Sequence, residues 1–169
     1  MAKSKDKDNA QSEAPGPALR GQILSMSAAT LGLQADAEFP DIWGVVVDFS
    51  IGEAIATVVA LRDGTASLYT TGSFGMVGGE RYLAVRHAAV TCVKASAEIW
   101  REHRGAFASG DALAYPQAGE MGFHLLGYEG VESVRVAEDD VYARAHLLTP
   151  IFAYAQGVLT QLRLASQPE

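Results

Sequence analysis

The chain has a single cysteine, Cys92, among 169 residues, which excludes an internal disulfide framework. No apolar run approaches the roughly 20 residues that a helix needs to cross a bilayer. Concentrated positive charge is missing too. Twenty acidic against 13 basic residues leave a formal charge of −7, and a net acidic surface repels phosphate backbones. The densest basic run, Lys94, Arg101 and Arg104, is interrupted by Glu98 and Glu102. The N-terminal stretch MAKSKDKDNAQSEAPGPA is polar throughout and lacks the apolar segment of a signal peptide. These deficits argue against nucleic-acid and membrane partners, and the expectation is a cytoplasmic protein.

The motifs of catalysis and metal binding are equally scarce. His87 and His103 lie sixteen residues apart on one expected helix, about 24 Å along its axis, too far to share an ion. His124 and His146 stand in separate elements without H-x-x-x-H or C-x-x-C spacing. Cys92 sits mid-helix beside Val90 and Val93, as a small buried hydrophobe does. No G-x-S-x-G elbow occurs. The run Glu138-Asp139-Asp140 lacks the alternating ligands and central glycine of a calcium loop. No metal, cofactor or catalytic residue is expected.

One stretch does invite a ligand, TTGSFGMVGGERYLAVRHAAV at residues 70–90. A glycine-rich loop, 72–79, runs into a helix. A phosphate-binding loop of the G-x-x-x-x-G-K-[ST] type needs a lysine and a hydroxyl, but here Glu80 and Arg81 follow the last glycine. A carboxylate in the first turn satisfies the helix dipole itself and repels phosphate. The loop is therefore expected to turn a corner, presenting Phe74, Met76 and Val77 to the core or to a partner. The alternative is a pocket for a small molecule, a nucleotide among the candidates, between this loop and the sheet. Asp48, Tyr69, Gly75, Gly78, Gly79, Arg81 and Arg86 would be its groups.

What the sequence does hold is periodicity. Residues 1–17 balance lysines against acids and end at Pro15 and Pro17, as a disordered tail does. Residues 18–169 are expected to form one domain. Leu19, Ile23, Met26 and Thr30 share a helical stripe in 18–33. IWGVVVDFS alternates, with Trp43, Val45, Val47 and Phe49 on one face and Gly44, Val46 and Asp48 on the other. Asp48 is expected on a solvated face. Asp63-Gly64 separates two further β-rich runs and predicts a type I′ hairpin. A helix follows over 81–103, then a long connection, 105–120, and a second hairpin turning at Glu129-Gly130.

Thr149-Pro150 opens the last helix, threonine as cap and proline at the first position. Leu148, Ile151, Phe152, Ala155, Val158, Leu159 and Leu162 form its buried stripe. Its other side carries Tyr154, Gln156, Thr160, Gln161 and Arg163, with Arg163 the only charge. The predicted fold is α+β, a five-stranded mostly antiparallel sheet (a three-strand meander plus a hairpin) packed with two to three helices. This inventory is similar to that of roadblock, longin and profilin-like domains. Those place the middle helix after the second strand, whereas here it follows the third, so the likeness is one of architecture and carries no residues across.

The expected function is a small non-enzymatic interaction or adaptor domain, a homo-oligomer or a subunit of a larger assembly. Its partner is a protein, or the chain itself as a homodimer. Its expected contact residues are Phe74, Met76, Val77, Tyr154, Gln161 and Arg163.

Overall fold

Ile42–Ile51 forms β1, the middle strand of the sheet, and its residues 42–49 are all buried. A strand covered on both faces reads as a near-continuous apolar run. Such a run is what the sequence has here. The computed structural model describes residues 15–72, 75–79 and 81–167, and of Val77 the backbone alone. Around β1 lie β2 (Ala54–Leu61), β3 (Ala66–Thr70), β4 (Gly75–Val77), β5 (Ala108–Ser109), β6 (Glu120–Gly127) and β7 (Val131–Ala137). The order across the sheet is β4-β3-β2-β1-β6-β7-β5, and every neighbouring pair is antiparallel.

Four α-helices accompany it among the described residues: α1 (Pro15–Ser25), α2 (Leu83–Glu102), α3 (Glu138–Tyr142) and α4 (Thr149–Ala165). Two apolar layers result, one on each face. Beneath α2 and α4, Val45, Val47 and Phe49 of β1 pack with Val58, Leu68, Phe123, Val85, Ile151 and Leu162. On the α1 side, Trp43, Val46, Val59, Tyr69 and Leu126 pack with Ile23 and Leu24.

The α+β class stands, but the sheet has seven strands, not five. The two additions come from segments read as loops. Gly75–Val77 of the glycine loop pairs with β3, and Ala108–Ser109 of the long connection pairs with β7. Strands of two or three residues are too short to show a period. The helix count also rises, from two or three to four. Glu138, Asp139 and Asp140 begin α3 itself, where acids complement the positive end of the helix dipole.

Other boundaries move for local reasons. The first helix starts at Pro15, inside the expected tail, since prolines in a first turn have no N–H to waste. It ends at Ser25 rather than 33. The Ser27 hydroxyl accepts the Thr30 N–H at 3.2 Å, offering the backbone a turn in place of a helix. The remainder of the expected tail, 1–14, lies outside the described residues. Thr149 does not cap α4; it sits inside the helix, and its hydroxyl donates to the Val141 carbonyl at 3.4 Å.

The strict alternation in β1 fails at one point. A register shift between Ile42 and Gly44 puts Trp43 on the α1 face, away from Val45, Val47 and Phe49. A bulge adds a residue and turns the side chain before it to the other side. Gly44 fits beside Trp43 because it has no Cβ. A Cβ there would lie 2.7 Å from Leu61 and 2.8 Å from Leu126.

The β2–β3 hairpin is not type I′ either, because Gly64 takes a positive φ of 89° and Asp63 does not. The Gly64 N–H donates to Leu61 and the Leu61 N–H to Thr65, the pattern of a three-residue loop closing with a left-handed glycine. Gly64 also lies against α2, where an added Cβ would meet the Arg86 Cβ at 2.9 Å. Replacing Gly64 with valine combines backbone strain with that clash. We expect a stability loss of about 1–3 kcal/mol, read as a lower urea midpoint. An unchanged midpoint would contradict this turn.

Candidate functional site

Asp48 of β1 points to the α1 face and is fully buried, as is Arg20 of α1, at 0% and 1% exposure. A carboxylate in that position must be paired. Arg20 donates from Nε to Oδ1 at 3.0 Å and from Nη2 to Oδ2 at 2.6 Å. The Thr57 hydroxyl, across the β1–β2 pair, donates to Oδ1 at 2.6 Å. His124 of β6 reaches Oδ2 through Nε2 at 2.9 Å, and its Nδ1 lies 2.7 Å from Ser133 Oγ on β7. Gly122, the partner of Asp48 in the β1–β6 ladder, leaves room for the imidazole. A Cβ there would lie 3.1 Å from His124 Nε2 and 3.2 Å from Asp48 Oδ2.

Arg20 spends its remaining donors on the 112–114 segment. Nη1 donates to the Leu113 carbonyl at 2.6 Å and Nη2 to Ala112 at 3.2 Å, while the Tyr115 ring covers the guanidinium at 4.1 Å. Burial by itself pushes the Asp48 carboxyl up. The hydrogen bonds and charges of His124 and Arg20 outweigh that and hold it below the ordinary carboxylate range. An ionised Asp48 only accepts, so Nε2 of His124 carries a proton and donates it to Oδ2.

Serine, histidine and aspartate in that order also form the relay of acyl-transfer enzymes. Here Arg20 and Thr57 already occupy the carboxylate, and neither Ser133 nor His124 lines the four clefts described among these residues. The arrangement anchors α1 and the 112–114 segment to the sheet, and we assign it that structural role.

The expectation of a solvated Asp48 is thus corrected. The sequence does carry a signal for this network: a lone charge on an otherwise uncharged helix, and a lone acid in an apolar strand. His124 and Ser133 carried no such mark.

The residues of the alternative pocket are not brought together. Asp48 and Tyr69 lie on the α1 face, Tyr69 within the apolar layer there. Gly79 is buried on the opposite face, where a Cβ would meet Val85 at 2.6 Å and Leu162 at 2.8 Å. Gly78 turns the chain at φ 79°, Gly75 belongs to edge strand β4, Arg81 stacks on Tyr82, and Arg86 packs against the β2–β3 turn. The glycine loop makes a strand and a corner, with Gly79 allowing the close approach of β4 to α2 and α4.

In a cleft of about 480 Å³ at the end of the sheet, Trp100 donates to Glu132 and Arg101 pairs with Asp41 at 2.5 Å. The described residues hold no group of three or more His, Cys, Asp or Glu suited to a metal ion. Burial pushes the Cys92 thiol up to about 12, which removes it as a nucleophile.

The outer face of α2 and α4 is different. A groove of about 680 Å³ runs between the helices, lined by Leu83, Ala84, His87, Ala88, Gly157 and Gln161. Leu83 is 81% exposed, Leu164 55% and Tyr154 41%. Tyr154, Gly157, Gln161 and Leu164 follow one another at helical spacing.

Of the expected contact residues, Tyr154 and Gln161 therefore share this flank. Arg163 is exposed on the opposite flank, nine residues and about two and a half turns from Tyr154. Met76 is half-buried against the core; Phe74 and the Val77 side chain lie outside the described residues. Gly157 stands out. A Cβ on it would touch nothing within 4 Å, yet glycine inside a helix costs about 0.5–1 kcal/mol relative to alanine.

Two outcomes test the anchor. Arg20→Met leaves Asp48 buried without its cation and should lower stability at neutral pH by about 3–5 kcal/mol, measured by chemical denaturation. A carboxyl depressed in the fold stabilises above its unfolded pKa, and that contribution is lost as pH falls through the folded value. Without Arg20 the folded value rises, so the acid transition followed by circular dichroism should move to higher pH. A transition at the wild-type pH would count against the pairing.

No family model, no curated protein and no solved structure matches this chain.

Proposed function

We propose that the chain is a non-enzymatic interaction domain that works through the outer face of α2 and α4, as a homo-oligomer or as a subunit of a larger assembly. The observation that carries this reading is the groove between the two helices, lined by no Lys, Arg, Asp or Glu and flanked by exposed Leu83, Tyr154 and Leu164. A solvated helix ordinarily sets charge on its outer side, whereas α4 has Arg163 alone. Contiguous apolar surface of this kind marks contact sites. The buried Arg20–Asp48 network ties elements together, which supports a scaffold rather than a catalyst. An acidic chain of charge −7 favours protein over nucleic acid as the partner. The single cysteine, buried and unpaired, asks for no oxidising compartment, and we place the protein in the cytoplasm.

Charge introduced on this face should damage association and spare folding. An exposed position changes stability by a few tenths of a kcal/mol, while a carboxylate desolvated at an interface without a partner costs several. Tyr154→Glu is expected to keep the wild-type melting temperature and to lose oligomeric mass or capture of its partner from native extract. Leu159→Glu, at a position 3% exposed, should unfold the protein. A Tyr154→Glu protein that is folded and keeps both its mass and its partners would remove this face from consideration.

A further inference from the structure

We propose that the partner of this face is a second copy of the chain, packed about a two-fold axis so that Leu83 of each copy enters the Ala84–Ala88–Gly157 groove of the other. The inference rests on the reading of the α2/α4 face as a contact surface and adds the occupant. Three observations carry it.

The first is charge. The chain holds 20 acidic residues, yet none falls in residues 83–97 of α2 or anywhere in α4. Two copies of a protein of charge −7 repel each other over most of their surfaces. Approach through these helices brings no carboxylates of either helix together. Glu98 and Glu102 lie at the far end of α2 from Leu83.

The second is shape. The groove is bounded by a leucine that is 81% exposed and is floored by alanine and glycine. A protruding side chain and a shallow hollow on one surface are self-complementary under a two-fold axis, because each knob meets the other copy's hole. Ala84 and Ala88, four residues apart, share one helix face, and their short side chains let a facing helix come close.

The third is Gly157. Inside this chain the space that a side chain would fill is open, so packing within one copy gives no reason for glycine in mid-helix. A helix or leucine of a second copy lying directly on that backbone does give one.

The test combines mass with position. By light scattering over a concentration series, the wild-type protein should approach twice the chain mass of 17.9 kDa. Gly157→Ala, which has room within one copy, should stay folded and weaken the dimer less than a larger side chain does. Gly157→Leu should stay folded and raise the dimer dissociation constant at least about tenfold, one such factor being 1.4 kcal/mol. For position, Leu83→Cys and Gly157→Cys chains are mixed under mild oxidation. A disulfide between the two variants is expected, since native Cys92 is buried and takes no part.

A wild-type protein that stays monomeric at every concentration overturns the second copy. If Tyr154→Glu nevertheless abolishes partner capture, the interaction reading survives with a different occupant. A dimer that forms no mixed disulfide and tolerates Gly157→Leu overturns the proposed packing. If Tyr154→Glu also keeps its mass and partners, both readings fall together.

Discussion

Arg20 and Asp48 are oppositely charged, fully buried and 28 positions apart in the chain. Taking two charges out of water costs several kcal/mol for each, and the attraction between them repays this only where further hydrogen bonds complete both shells. The completion here draws on four elements: Thr57 from β2, His124 from β6, Ser133 from β7 through His124, and the carbonyls of 112–114 on the other side of Arg20. None of these positions can move far without leaving a buried charge short of a partner. The pair thereby fixes where α1 lies on the sheet and where the long segment before β6 crosses over it.

The two sheet faces are consequently held by different physics. On the α2/α4 side the contacts are almost wholly apolar, with small and branched side chains from both helices against β1, β2, β3 and β6. Such a layer is strong but tolerant of sliding, because hydrophobic burial has no direction. On the α1 side a smaller apolar cluster surrounds the polar network. Hydrogen bonds and ion pairs do have direction, and they set register where an 11-residue helix with few large side chains has little else to locate it.

That division bears on the proposed function. A sheet with both faces covered leaves the backs of its helices for contact with other molecules. α1 turns a lone cation inward, and α3 is short and acidic at its start. The backs of α2 and α4 remain, adjacent, with a largely apolar groove between them near Leu83 and Gly157. A Cβ on Gly157 would meet nothing in this chain, so that position is open to a contact from outside it.

Much of the architecture was legible from spacing alone. The α+β class, the central apolar strand, the hairpin at Glu129-Gly130 and the inward stripes of α2 and α4 all follow from periods of 2 and 3.6 residues, since those periods are properties of the local backbone. The charge-poor outer side of α4 was visible for the same reason. Only tertiary structure decided the rest. Pairing of Gly75–Val77 and Ala108–Ser109 as edge strands depends on neighbours that already stand in place, and such short segments carry no period of their own. The side taken by Trp43 depends on a bulge set by the partner strand. The burial of Asp48 depends on an arginine 28 positions away, which no local window contains. Sequence determines what each element buries; the distances between elements determine which buried charges find one another.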